Sequence, residues 1–312
     1  MNITFLGTSS GVPSLTRNVS SLALKLSQSS EVWLFDCGEG TQHQIMKSNI
    51  KSSQIKKIFI TQMHGDHIYG LPGLLATLGL SGNSKGIEIY GPSELRSFIN
   101  SALKSSFCKL SYPLHFVEVE NFATKNKILF ENNKIKVNCA CLKHKIPAYG
   151  YRVNEKDKPG IFDIQKAQTL KIAPGPIYSE LQQGKKVVLA DGRTFDGKEF
   201  CGPPRKGESF VYCTDTVFSE SAVSLSKNAN LLVHESTFSE EDEIMAYKKL
   251  HSTTIMAAKT ALLSNTKKLI ITHLSPRYTN KNAITPSDLL KEAQKVFPNT
   301  QLAKDFLTTE IK

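Results

Sequence analysis

The stretch Thr61-Gln62-Met63-His64-Gly65-Asp66-His67 constrains this chain more than any other feature. It follows directly on Lys57–Ile60, which reads as a strand, so two imidazoles and a carboxylate fall within four residues at a strand end. A loop in that position can turn several side chains toward one point, which a continuous strand cannot. Imidazole and carboxylate together suit Zn²⁺ or Mn²⁺. A lone histidine is usually a satisfied structural residue, but three cation-binding side chains at this spacing predict a metal site.

The surroundings of that loop predict an α/β sandwich. Short apolar, β-branched runs at Ile3–Leu6, Ser21–Leu26, Val32–Phe35, Ile58–Thr61, Ile87–Tyr90 and Ile135–Ala140 read as strands. Helices are expected at Thr41–Ser48, Leu71–Leu80, Pro92–Lys104, Ser219–Leu225, Thr253–Ser264 and Pro286–Val296. Strands followed by single helices, in two sets, imply helices outside two packed sheets. The section from about 152 to 206 differs, with turn signals such as Pro159-Gly160, Pro174-Gly175-Pro176, Asp191-Gly192 and Gly202-Pro203-Pro204. Such density argues for an arm inserted into a single domain spanning residues 1–312. A plain surface insertion would read the same way.

Composition narrows the partners. Thirty-nine Lys and Arg against 28 Asp and Glu give a formal charge of +11, which suits a polyanion because neutralising phosphates releases their counterions. A solubility surplus accounts for the number equally well. The segment 152–206 carries 11 Lys/Arg against 7 Asp/Glu, so it holds only part of the excess. Without a long basic block, a disordered basic tail is excluded. The six cysteines form no CxxC, and buried free thiols in a reducing compartment are expected; Cys139 and Cys141 should face one side of their strand. The N-terminus has no basic n-region, and Leu71–Leu80, the most apolar run, is far too short to span a bilayer. The chain is therefore expected to be soluble and cytoplasmic.

The Thr61–His67 segment resembles the HxHxDH signature of the metallo-β-lactamase superfamily, with Gln62 standing where that signature has its first His. The remaining donors of the pattern then match residues at later strand ends: His144 after the run ending near Cys141, Asp215 closing Val211-Tyr212-Cys213-Thr214, and His273 closing Leu269-Ile270-Ile271-Thr272. The resemblance implies an αββα sandwich and two divalent ions per subunit, zinc or alternatively manganese. One would be held by His64 and His144, the other by Asp66, His67 and His273, with Asp215 bridging. Because Gln62 offers only a neutral amide, the His64/His144 ion is expected to bind more weakly than its neighbour.

Further segments resemble ribonuclease Z in particular. Phe35-Asp36-Cys37-Gly38-Glu39-Gly40-Thr41-Gln42 is similar to that family's FDCGEGTQ segment, His234-Glu235-Ser236-Thr237-Phe238 to its HEATF motif, and His251-Ser252-Thr253 to its HST motif. Ala173-Pro174-Gly175-Pro176-Ile177-Tyr178, with Gly184-Lys185-Lys186 after it, resembles the family's exosite, a flexible arm that grips the tRNA elbow. The likeness implies hydrolysis of precursor tRNA just after the discriminator nucleotide. In it His251 is the general acid oriented by Glu235, and Asp66 is both ligand and proton acceptor. It further implies contacts to RNA from Gly175, Pro176, Lys185 and Lys186, and a homodimer in which one subunit's arm serves the other's site. Pro13-Ser14-Leu15-Thr16-Arg17-Asn18 is similar to the family's PxKxRN loop; Leu15 replaces the Lys, leaving Arg17 as the candidate RNA contact. His43 and His115 match no ligand position, and His234 reads as structural. Two rival readings remain: a small-molecule or cyclic-phosphodiester hydrolase on this fold, and a tRNA-binding member with an impaired metal site.

Overall fold

The computed structural model describes residues 1–27, 29–80, 86–124, 127–278 and 282–311; Lys312, the end of the expected domain, lies outside them. In chain order the strands are β1 (Asn2–Gly7), β2 (Ser21–Lys25), β3 (Val32–Phe35), β4 (Ile55–Phe59), β5 (Ile87–Gly91) and β6 (Leu114–Glu118). There follow β7 (Ile128–Glu131), β8 (Ile135–Leu142), β9 (Ala148–Glu155), β10 (Lys186–Val188) and β11 (Thr194–Asp196). The last are β12 (Ser209–Cys213), β13 (Leu231–Glu235), β14 (Lys268–Thr272), β15 (Thr300–Leu302) and β16 (Thr308–Glu310). One sheet runs β16-β1-β2-β3-β4-β5-β6, the other β15-β14-β13-β12-β9-β8-β7, and β10-β11 form a hairpin. Strands β3 to β6 and β12 to β15 pair in parallel.

Two-sided burial explains the unbroken apolar strands. In β3, Val32 and Leu34 join a cluster with Ile45, Leu71 and Leu75 on the helix side. The alternate residues Trp33 and Phe35 form the opposite, aromatic face. There Phe35 lies 5.3 Å from Phe210 of β12, and Phe59 of β4 lies 5.3 Å from Tyr151 of β9, so the two sheets meet through aromatic rings. Helices Thr41–Lys47, Leu71–Leu80 and Glu94–Ser105 pack on the first sheet, and Glu220–Leu225, Thr254–Leu263 and Pro286–Val296 on the second. This is the αββα arrangement expected from the sequence. Leu71–Leu80 and Pro286–Val296 have the expected bounds, whereas the helix expected from Pro92 begins at Glu94 with Ser93 at its N-cap.

Contacts divide the chain into two units, one of Met1–Asn132, Lys136–Val153 and Ser209–Lys312, the other of Asn133–Ile135 and Asn154–Glu208. The second unit holds helices Ile164–Thr169 and Pro176–Gln182, the β10-β11 hairpin, and a core of Ala167, Ile172, Leu181, Val187 and Phe200. Turn residues dominate its sequence, and those five apolar positions follow neither helical nor strand period, so this small core was not visible beforehand.

Three of the six thiols are buried as expected, whereas Cys108 and Cys201 are half-buried and Cys141 is exposed. Cys37, Cys139 and Cys213 are buried, and burial pushes each thiol up to about 12, which keeps them protonated. Cys141 is exposed although it shares a strand face with Cys139. No described helix is long and apolar enough to cross a membrane.

Candidate active site

The candidate chemistry lies at strand carboxyl ends, where an open α/β sheet places ligand sites, on parallel strands except for His144, which follows a strand antiparallel to β7. Asp36 follows β3, Thr61–His67 follows β4, His144 follows β8, Asp215 lies two residues past β12, Glu235 ends β13 and His273 follows β14. Asp36, Asp215 and His273 all adopt left-handed backbone, with φ of 58°, 47° and 57°. This conformation is costly for a non-glycine residue and here turns each side chain sharply off its strand.

The His64–His67 segment, expected as a loop, forms a single helical turn. Gly65–Ile68 is helical, with His64 extended at the N-cap and Asp66 in the first turn, where an acid suits the helix dipole. The turn is fixed by backbone packing against Cys37-Gly38: Cys37 donates to the His67 carbonyl at 2.8 Å, and Gly70 donates to the Cys37 carbonyl at 3.0 Å. A Cβ on Gly38 would lie 2.3 Å from the Asp66 carbonyl, and one on Gly70 would lie 2.0 Å from that of Gly38. Only glycine permits the approach at both positions.

Two donor groups result. His64, His144 and Asp215 offer ligand atoms within 4.8 Å of one another, as do Asp66, His67 and His273. Asp215 has an oxygen toward each: Oδ1 lies 3.3 Å from His67 Nε2 and 3.1 Å from His273 Nε2, and Oδ2 lies 3.7 Å from His144 Nε2. His251 also comes within 4.8 Å of Asp215 and His273.

Three of the imidazoles are oriented by a hydrogen bond at Nδ1. His67 Nδ1 lies 2.8 Å from Asp36 Oδ2, His144 Nδ1 lies 2.8 Å from the Leu250 carbonyl, and His273 Nδ1 lies 3.0 Å from Thr237 Oγ1. Each bond fixes the ring and leaves Nε2 facing the cluster. His67 Nε2 and Asp215 Oδ1 are buried without a hydrogen-bond partner among the described residues, yet face each other. Two acceptors at that distance repel unless a cation or proton lies between them. Burial disfavours charge on His67, but Asp215, Asp66 and Asp36 outweigh it and raise its pKa well above the ordinary value. Burial works the other way on Asp66 and Asp215, and their histidine neighbours overcome it, holding both below the carboxylate range. His64 and His144 are lowered, chiefly by burial, which keeps them neutral and able to ligate. The donor set therefore fits divalent ions.

Asp36 is the residue that sequence reasoning missed. It is fully buried and also accepts from the Thr61 N–H at 2.8 Å. The available signal was its position: an acid closing an apolar strand, as Asp215 does. Asp36→Asn, which tolerates the left-handed backbone, is expected to weaken cation binding by about 10–100-fold in a calorimetric titration. Unchanged affinity would remove Asp36 from the site.

A second arrangement adjoins the first. His251 Nδ1 lies 2.8 Å from Glu235 Oε1. Glu235 is fully buried and further accepts from Thr216 N at 2.9 Å and Thr237 Oγ1 at 2.7 Å. Burial opposes charge on His251, but the Glu235 carboxylate lifts its pKa to about 9. The segments carrying the two residues are joined by a bridge between Phe238 and Thr253. A cavity of about 620 Å³ opens over His64, Asp66, Asp215, His251 and His273, and Tyr69 and Lys249 also border it. Neither of these last two carried a sequence signal.

The other expected residues lie elsewhere. The guanidinium of Arg17 donates to Thr8 Oγ1 and to the Ala303 carbonyl, both at 2.7 Å, tying down the loop whose Gly11 N–H donates to Asp66 Oδ2 at 2.8 Å. Gly175, Pro176, Lys185 and Lys186 are exposed on the second unit. His43 and His115 are exposed, and His234 is buried with Nδ1 2.8 Å from the Glu235 carbonyl.

Comparison with known proteins gives a consistent result. Residues 1–157 match the family model described as Anti-Pycsar protein Apyc1. The chain is 96% identical over 312 residues to a ribonuclease Z of Prochlorococcus marinus (strain MIT 9215), with 100% of each covered. Human tRNase Z, short form, matches in structure with a TM-score of 0.70 at 31% identity over 100% of both chains. YhfI from Bacillus subtilis, a metallo-beta-lactamase fold protein, matches with a TM-score of 0.67 over 99% of this chain and 98% of its own, at 16% identity, which speaks for the fold alone. The chain belongs to the ribonuclease Z family, on a metallo-β-lactamase fold whose first half also matches the Apyc1 model.

Proposed function

We infer that this endoribonuclease removes the 3′ trailer from precursor tRNA, cutting just after the discriminator nucleotide. The products are a 3′-hydroxyl on the tRNA and a 5′-phosphate on the trailer. The observation that carries the reading is the His251–Glu235 pair, 2.8 Å apart, beside the donor groups in one cavity. In this hydrolysis a water oxygen bonds to phosphorus as the P–O3′ bond breaks; one proton leaves the water and one reaches O3′. The Glu235 carboxylate raises the His251 pKa to about 9, which favours the acid form that delivers the second proton. Its Nδ1 is committed to Glu235, so Nε2 is the delivering atom. Asp66 stays ionised at neutral pH, as both its ligand role and its proton-accepting role require. Two divalent ions, zinc or alternatively manganese, held by His64 and His144 and by Asp66, His67 and His273 with Asp215 shared, would supply Lewis acidity to phosphate and water. Arg17 acts on the site through the loop it anchors.

Purified protein given Zn²⁺ or Mn²⁺ and a 3′-extended tRNA is expected to cut once, after the discriminator. Absence of that cut with either ion would sink the reading. The second unit is assigned the tRNA grip, with Lys185 and Lys186 pairing with backbone phosphates. Changing both lysines to alanine is expected to raise KM for tRNA several-fold and to reduce its salt slope by about one per lost contact. Hydrolysis of bis(p-nitrophenyl) phosphate should be untouched; unchanged tRNA KM would favour a small-molecule hydrolase. We also assign a cytoplasmic homodimer in which each arm serves the partner's site. A native mass equal to the 34.6 kDa chain would contradict that assembly.

A further inference from the structure

We propose that the Gln62 side-chain oxygen, Oε1, is a protein ligand of the ion held by His64, His144 and Asp215, making this centre harder and more manganese-tolerant than an all-imidazole one. The proposal rests on reading the donor groups as metal sites. Gln62 is fully buried, and neither Oε1 nor Nε2 has a hydrogen-bond partner among the described residues. A buried amide with both ends unpartnered is strongly disfavoured and calls for a partner outside the protein. The same fold satisfies a buried glutamine where its role is structural: Gln44 Nε2 donates to the Leu6 carbonyl at 2.8 Å and to Asp305 Oδ2 at 2.9 Å.

Among the described residues six other buried side-chain atoms have no partner; Glu120 Oε2, Ser226 Oγ, His234 Nε2 and Ser236 Oγ lie outside the donor groups, and the remaining two indicate what the partner of Gln62 is. Buried His67 Nε2 and Asp215 Oδ1 are likewise unpartnered, and both belong to the donor groups. Gln62 lies two residues before His64 on the segment leaving β4, the same segment that carries His67. Thr61 beside it is fully engaged with Asp36, so the free amide is not a general looseness of this turn. An amide oxygen is a neutral, hard donor. With it the His64 centre has two imidazoles, one carboxylate and one amide oxygen, a set that narrows the margin of zinc over manganese relative to a third imidazole.

Metal-free wild type, Gln62→Met and Gln62→His are titrated with Zn²⁺ and with Mn²⁺ against a competing chelator, and ions per chain and Tm are read on the same samples. Wild type is expected to bind two ions. In Gln62→Met one of the two affinities should fall at least tenfold, while the metal-free Tm stays level or rises, because an unpartnered amide has been replaced by an apolar chain of similar size. Gln62→His should raise zinc affinity at one centre at least tenfold and manganese affinity much less. The proposal is overturned if Gln62→Met keeps both affinities. It is overturned equally if metal-free Gln62→Met melts lower or fails to fold, since the amide would then be satisfied within the protein. Wild type that binds no ion would instead refute the metal-site reading itself.

Discussion

Asp215→Asn is expected to empty both donor groups and to lower tRNA cleavage on the order of a thousandfold or more. Among the described residues Asp215 is the one side chain with an oxygen toward each group, 3.1 Å from His273 Nε2 on one side and 3.7 Å from His144 Nε2 on the other. An amide keeps one oxygen but replaces the other with a donor N–H₂ that repels a cation. Lewis-acid assistance is worth several kcal/mol, and each ~1.4 kcal/mol is tenfold in rate. The substitution isolates chemistry from folding, because Asn tolerates the left-handed φ of 47° that most residues would resist. Ion count and kcat are measured on one preparation, with circular dichroism to confirm the fold. An Asn variant that retains two ions and cuts within tenfold of wild type would end the shared-ligand assignment.

His251→Ala should lower kcat by about 10²–10⁴-fold, the usual worth of a positioned general acid, without loss of bound ions. The ion count matters because His251 lies close enough to Asp215 and His273 to be a ligand instead. Loss of an ion in His251→Ala would favour that role over proton delivery. Glu235→Gln separates the two roles further. His251 is raised to about 9 against burial by the Glu235 carboxylate, so its acid form predominates below that value and is lost as pH rises through it. Neutralising position 235 leaves burial unopposed by its strongest partner, and the alkaline limb of the kcat profile should move down by about one to three units. The Gln variant should therefore lose most activity at high pH and least at low pH. An unmoved limb would show that Glu235 holds Thr216 and Thr237 in place rather than setting the charge of His251.

Much of this was open to a reader of the chain. Apolar runs bounded by turn residues marked the strands, and the periodic pattern at Pro286–Val296, started by Thr285 and Asp288, marked that helix because its signals are local. The donor residues were legible for a similar reason: imidazoles and carboxylates at strand ends are few, and their types are chemically specific. The partners that hold them were not. Asp36 is 31 residues from His67, and the Leu250 carbonyl is 106 residues from His144; no local spacing connects either pair. The core of the second unit escaped as well, because its apolar residues lie among turns without period.

By itself, then, the sequence determined which side chains could bind a cation or carry a proton, and which strands had to be buried on both faces. Tertiary structure decided which nitrogen of the anchored rings faces the site, which carboxylate faces both donor groups, and that Gln62 is sealed in with both amide atoms unpartnered among the described residues. The reason is physical. An imidazole or amide is defined as donor, acceptor or ligand by the partner on its other side, and here that partner arrives from a distant strand end through left-handed turns and glycine-only backbone contacts.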